Sequence, residues 1–306
     1  MSILVVGTVA LDSVETPFGK EDEILGGSAT HFSMAARILA DVHLVAVVGE
    51  DFPQSHLDLF REKNIDTKGL QVQRGKTFRW KGRYGFDLNV AETLETHLNV
   101  LEDFVPQIPD SFKNIPYVFL GNIHPVLQGR VLDQVKNPKI VALDTMNFWI
   151  KGAREDLKKT LSRVDIVIVN DAEVRQLSQE SNLVKAAKKI CSWGPKVLVI
   201  KQGEYGALLY QGERFFSSPG LPLEEVYDPT GAGDSFAGGF MGYLSHCGGG
   251  LEEGTLKQAV IVGSTMASFN VQEFSCNRLK RLTKEEIQAR LKVFKTLSHF
   301  DDVKLR

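Results

Sequence analysis

The sequence predicts an α/β fold, a doubly wound and mostly parallel sheet flanked by helices, with a small β-sheet lid inserted into it. Three observations predict it. Short, continuously apolar runs recur at 3–7, 43–49, 117–121, 140–144, 165–170 and 197–201. Strands covered on both faces read this way, whereas half-exposed strands alternate. Helix-sized segments separate them (28–40, 54–63, 126–136, 154–163 and 183–193). Strand and helix in turn at this spacing argue for parallel crossover units. Third, the stretch 70–105 breaks the rhythm and reads as antiparallel β, with strands over 76–84 and 92–100 around a turn at 85–89.

Each element follows from its own residues. In 76–84, alternation puts Thr77, Arg79, Lys81 and Arg83 on one face and Phe78, Trp80, Gly82 and Tyr84 on the other. The basic face reads as a solvated surface or as an attractor for an anion under the lid. A two-stranded ribbon is marginal alone, so further strands are expected from 14–25. The expected division is a core of 1–12, 26–69 and 105–306, with a lid of 13–25 and 70–104. The last third turns helical, over 234–246, 251–270 and 284–298. Thr283 with Glu286 three residues on has the form of a capping box opening the last helix.

Composition narrows the function. The chain has 306 residues, of which 43% are hydrophobic and 24% charged, so disorder is excluded as the dominant state. At about 150 residues per domain there is room for two domains, or for one carrying an insertion. No apolar run approaches the roughly 18 residues that span a bilayer. No charged leader precedes a long apolar stretch, so no secretory signal is expected. Cys191, Cys247 and Cys276 are odd in number and far apart, which fits a reducing cytoplasm and offers no metal-ligand spacing. With 36 basic and 38 acidic residues the formal charge is −2, and no global field favours nucleic acid or membrane.

The chemistry concentrates in Asp228-Pro229-Thr230-Gly231-Ala232-Gly233-Asp234. Glycines flanking a small residue before a helix leave backbone N–H groups pointing outward at the positive end of the helix dipole, which suits an anion. Asp234 at the helix start can take a proton from a hydroxyl while those amides hold a phosphoryl group. A plain glycine-rich loop with Asp234 as N-terminal cap is the bland alternative. Other machinery is missing: no Gly-x₄-Gly-Lys-Ser/Thr, no His-Glu-x-x-His, no Gly-x-Ser-x-Gly, and no Gly-x-Gly-x-x-Gly after the first strand.

That segment resembles the C-terminal signature of the ribokinase-like (phosphofructokinase B type) carbohydrate kinases, and the likeness runs along the chain. Gly26-Gly27 before an apolar helix is similar to the family's substrate-side turn, and Asp12 to its substrate-binding aspartate. Val48-Gly49-Glu50-Asp51 and Asn64-Ile65-Asp66-Thr67 resemble the next turn and the junction before the lid. Asp144 with Asn147, Asn170 with Glu173, and the run from Lys201 through Gly203 to Gly206 resemble later family pieces. The resemblance implies an ATP- and Mg²⁺-dependent kinase acting on a small polyhydroxy substrate. Asp234 would be the base, and Gly231, Ala232 and Gly233 the anion hole. Asp12, Gly26, Gly27, His31 and Asn147 would face the substrate. Asn170, Glu173, Lys201, Gly203, Gly206 and Thr230 would face the nucleotide, with Glu173 reaching magnesium through water. Asp228 and the Thr230 carbonyl would hold a potassium ion. A homodimer through the lid is also implied.

The chain departs from the family pattern at three places. Ala10 and His31 stand where the family has asparagines that touch sugar hydroxyls, and losing such contacts weakens discrimination between polyols. Phe274, Ser275 and Cys276 replace a small, glycine-containing loop at the potassium site. These departures argue against a true ribokinase. Phe148 and Trp149, with Phe78 and Trp80, read either as packing or as stacking surfaces for a base. A sugar is therefore the expected acceptor, a nucleoside the alternative, and a non-catalytic nucleotide or sugar sensor a further one.

Overall fold

A computed structural model describes residues 1–299 and 301. In chain order its strands are β1 Ser2–Val6, β2 Ala10–Thr16, β3 Gly19–Gly26, β4 Asp41–Gly49, β5 Ile65–Gln73, β6 Arg79–Tyr84, β7 Ala91–His97, β8 Tyr117–Leu120, β9 Ile140–Leu143, β10 Ile166–Asn170, β11 Val197–Lys201, β12 Ala207–Gln211 and β13 Arg214–Ser218. The helices are α1 Ser28–Ala36, α2 Gln54–Glu62, α3 Pro125–Leu132, α4 Asn147–Gly152, α5 Arg154–Leu161, α6 Asp171–Ser178, α7 Leu183–Cys191, α8 Ala232–Cys247, α9 Glu253–Asn270, α10 Asn277–Lys280 and α11 Lys284–Ser298. Among the described residues, no helix is long and apolar enough to cross a membrane.

The apolar runs are strands buried on both faces. Within β1, Ile3 and Val5 face a core shared with α1, α8 and α9, while Leu4 and Val6 face a second core shared with α5, α6 and α7. Nine strands form one sheet in the order β13-β12-β11-β10-β9-β8-β1-β4-β5. Pairing is parallel from β11 to β5, and β12 and β13 complete the other edge antiparallel. The chain winds outward from β1 in both directions, so strand order reverses between β1 and β8. In such sheets a crevice opens at the carboxyl ends of the strands beside that reversal. Asp144, Asn170 and Lys201 all stand at those ends.

The lid is a four-stranded sheet in the order β3-β2-β6-β7. Two antiparallel hairpins, β2–β3 and β6–β7, are joined through a parallel pairing of β2 with β6. Its limits differ from those expected. Residues 70–73 belong to β5, an edge strand of the large sheet, and β2 begins at Ala10, which places Asp12 in a lid strand. β5 carries Asp66, Thr67, Lys68, Gln71 and Gln73 because its outer edge is open, so it lacks the buried-strand pattern. The basic face of β6 is ion-paired: Lys81 to Glu95 at 3.0 Å, Arg83 to Glu92 at 2.8 Å, and Arg79 to Glu23 and Asp51. It is a solvated, charge-compensated surface.

Helices α1 and α8 carry the two halves of the site and pack directly on each other. A methyl group on Gly238 of α8 would run into the Phe32 carbonyl of α1. Phe32 in turn stacks on Phe119 of β8, ring centroids 4.2 Å apart. Gly238→Ala is expected to force the helices apart at a cost of about 1–3 kcal/mol, measured as a lower midpoint in chemical denaturation.

Candidate active site

Three carboxylates converge on one lysine at the crevice. Asp144, just past β9, receives the Lys201 ammonium at 2.8 Å; Asp144 is buried and the Lys201 side chain only 16% exposed. The other Asp144 oxygen accepts the Thr145 N–H at 2.7 Å. Burial pushes the pKa of Glu173 and of Asp234 well above the carboxylate range; Asp144 adds repulsion and Lys201 offsets part of it. Burial alone would lower the Lys201 pKa, but Asp144, Glu173 and Asp234 together raise it. The lysine therefore stays charged among acids that hold their protons unusually tightly.

Asn170 and Glu173 are engaged with each other. Asn170 Oδ1 accepts the Glu173 N–H, and Glu173 Oε2 accepts the Asn170 N–H, both at 2.8 Å, forming a capping box for α6. This leaves Glu173 Oε1 as its open donor. Among the described residues no group of three acidic, histidine or cysteine side chains is arranged to hold a metal by itself.

The start of α8 faces the same cluster. Gly231 caps it with φ 72°, a left-handed conformation, and any side chain there would strike the His31 ring. Lys201 Nζ lies 2.8 Å from where a Gly233 side chain would begin. The Ala232 N–H turns inward to the Pro229 carbonyl at 3.1 Å. The Gly231 and Gly233 N–H groups have no partner among the described residues, so the open amides of the expected anion hole are those two, while the Ala232 N–H is already engaged. Asp234 is the third residue of α8, half-buried beside them.

The substrate-side residues assemble on the opposite wall. Asp12 Oδ2 accepts the Gly27 N–H at 3.2 Å, and Gly26 leaves no room for a side chain beside that carboxylate. Asp12 Oδ1 is buried without a partner. Burial, then the nearby Asp228 and Asp234, raise its pKa to about 7 against the single opposing Gly27 bond. Gly27, with φ 94°, caps α1, and the turn is clamped by Thr8 and Ser28, whose backbone N–H groups each bond to the other's hydroxyl. His31 lies inside: Nδ1 bonds Asn270 Oδ1 at 2.9 Å, Nε2 is buried without a partner, and burial lowers its pKa to about 4. Asn147 is exposed at the start of α4 and is not brought to the cluster. Beside it Trp149 donates to Asn122 at 3.0 Å and packs edge-on to His124, while Phe148 is 58% exposed.

The turn after Lys201 touches the lid. Gly203 packs against Asn89 of the β6–β7 hairpin, which donates to Glu204 Oε1 at 3.1 Å and accepts the Glu204 N–H. Gly206 turns the chain back against the backbone of 218–220. From the lid, the Tyr84 hydroxyl lies 3.3 Å from Thr230 Oγ1. Trp80 folds over Gly82 and bonds Thr93, so its indole serves the lid's own packing.

Residues 20–281 match the pfkB family carbohydrate kinases. The chain belongs to that family. It is 32% identical to a cytidine kinase of Thermococcus kodakarensis over 259 residues, 83% of this chain and 91% of that protein. It is 30% identical to a nucleoside kinase of Methanothermobacter thermautotrophicus, covering 89% of each. In structure it resembles the nucleoside kinase of Methanocaldococcus jannaschii, a member of the ribokinase family, with TM-score 0.76, 19% identity, and 95% and 98% of the two chains covered. It also resembles a fructokinase double mutant of Vibrio cholerae O395 holding fructose, ADP and potassium (TM-score 0.78, 18% identity, 95% and 98% covered). These likenesses establish the ribokinase-like fold.

For this pfkB-family chain the expected potassium set does not fit. Asp228 spends one oxygen on the Thr230 N–H at 2.8 Å and the other on the Ser275 N–H at 3.0 Å. The Thr230 carbonyl accepts the Asn270 amide at 2.8 Å. Ser275 Oγ turns away to the Leu25 carbonyl at 2.5 Å. Asn270, Ser235, Tyr84 and Asn89 were not legible as site residues. Asn270 ends an apolar helix, where its sequence position suggests only a helix terminus.

Asp12 generates a stability prediction. An acid whose folded pKa lies above its unfolded value loses stability as pH rises from about 4 through about 7, because the unfolded chain releases its proton first. Asp12→Asn is therefore expected to raise Tm on the order of 2–4 °C at pH 8 and by less at pH 5, measured by calorimetry without ligands.

Proposed function

We propose that this protein is an ATP-dependent kinase that phosphorylates a hydroxyl of a nucleoside. The observation that carries the transfer is Asp234: a half-buried carboxylate with a raised pKa at the mouth of α8, beside the open Gly231 and Gly233 amides and near the unpartnered Asp12 oxygen. Asp12 Oδ1 is an acceptor waiting for a hydroxyl, and Asp234 is a base whose raised pKa suits proton abstraction near neutral pH. The amides, the dipole of α8 and the Lys201 ammonium take up charge on the phosphoryl group as it moves. The lid, tied to the site through Tyr84 and to the nucleotide-side turn through Asn89, excludes water that would otherwise accept the phosphoryl group.

Magnesium fits the donor set. Asp144, Glu173 and Asp234 leave the crevice with more negative than positive charge, and Glu173 Oε1 is open to a water shell. Bound with the nucleotide, the ion supplies neutralisation of phosphate charge. Gly203 and Gly206 shape the turn that would border the nucleotide.

The nucleoside acceptor rests on the relatives, a cytidine kinase and a nucleoside kinase, and on Ala10 and His31 where sugar-binding asparagines are absent. Phe148, exposed on α4 against Trp149, is a ring available to stack on a base. A free sugar is the second reading, favoured by 26% identity to an ATP-dependent 6-phosphofructokinase of Thermoanaerobacterium thermosaccharolyticum over 88% of this chain. A homodimer through the lid belongs to the same proposal, since all seven residues of β7 are exposed at its open edge.

ADP release measured across nucleosides and sugars with magnesium is expected to give the highest kcat/KM with a nucleoside; a sugar preferred over every nucleoside overturns that choice. Asp234→Asn is expected to lower kcat by about 10²–10⁴-fold with little change in nucleotide binding. Retention of turnover within tenfold removes Asp234 as base. Because Asp234 must be ionised to act and its pKa is raised, wild-type kcat should climb with pH through a limb near neutrality instead of near pH 4.

A further inference from the structure

The buried amide of Asn270 reaches three elements at once. Its Oδ1 accepts from His31 Nδ1 of α1 at 2.9 Å and from Ser235 Oγ of α8 at 3.0 Å, and its Nδ2 donates to the Thr230 carbonyl at 2.8 Å. The amide cannot be reversed, because its oxygen would then face a carbonyl oxygen that has nothing to donate. The same logic places the His31 proton on Nδ1. Asn270 is fully buried and every bond is short, so this grip is rigid.

What it grips matters. The Thr230 carbonyl and the Gly231 N–H belong to one trans peptide, whose planarity makes them point in opposite directions. Holding the carbonyl towards α9 therefore aims the Gly231 N–H away from α9, on the side where the Gly233 N–H and Lys201 lie. Below it the His31 ring fills the space that any Gly231 side chain would need, so the peptide has no alternative seat. A cation on that carbonyl would impose the same orientation, but here an amide N–H occupies it and both Asp228 oxygens are committed.

We propose that Asn270 is a positioning residue that orients the Gly231 amide for phosphoryl transfer in the place a monovalent cation would take, so that this protein works without potassium. The proposal builds on the kinase reading, and its first test does not need turnover. Melting of the wild-type protein in KCl and in choline chloride at equal ionic strength should give the same Tm within 1 °C or so. A potassium-specific rise overturns the proposal. With an acceptor in hand, kcat in the two salts should agree within about twofold, and activation of fivefold or more by potassium overturns it.

Asn270→Asp keeps the acceptor facing His31 and Ser235 but removes the donor to Thr230. It should lose about 10²-fold in kcat, the scale of one misaimed oxyanion donor, with acceptor KM little changed, and KCl but not choline chloride should restore most of it. Asn270→Ala should show the same kcat loss at unchanged KM. A purely structural role predicts losses indifferent to the cation; that result, or variants that fold and retain kcat within twofold, sinks the proposal.

Discussion

The site depends on one buried ammonium. Lys201 is the cation around which Asp144, Glu173 and Asp234 are grouped, and its 2.8 Å bond to Asp144 is what lets acids of like charge share one crevice. Removing one partner of such a pair leaves an unpaired buried charge at a cost of about 3–5 kcal/mol. The remaining positive potential comes from backbone: the open amides at the start of α8 and its dipole.

The fold delivers these parts from distant pieces of chain. Parallel strands bring Asp144, Asn170 and Lys201 to one edge, because each strand ends at the same level of the sheet. The contact between α1 and α8, close enough to require glycine at 238, ties the Gly26-Gly27 turn to the open amides at the start of α8. The lid then spans both walls, carrying Asp12 in β2, Tyr84 in β6 and Asn89 at its hairpin tip. Two buried side-chain atoms near the crevice, Asp12 Oδ1 and His31 Nε2, have no hydrogen-bond partner among the described residues. Stability is given up there for readiness to bind.

Much of this was legible beforehand, for definite reasons. Continuously apolar runs identified the six central parallel strands because both faces of the sheet are covered. The Asp228–Asp234 segment marked the start of α8 because glycine spacing and an acidic first turn leave few alternatives. Where these signals were absent, the sequence was silent. The polar edge strand β5 was assigned partly to the lid, and β12 and β13 were not recognised, since edge strands lack the buried pattern. The parallel seam between β2 and β6 joins segments more than sixty residues apart, and no local pattern encodes it.

By itself the sequence determined the fold class and the glycine-led start of α8 with Asp234 in its first turn, because periodicity, glycine placement and capping act over a few residues. Only tertiary structure decided which groups meet. It paired Asp144 with Lys201, turned the basic face of β6 into ion pairs with β7, left Asn147 at the surface, and bound His31 to Asn270 across 239 positions. Electrostatic and hydrogen-bond partners depend on distances of a few ångströms between separate elements, and those distances exist only once the sheet and its helices have packed.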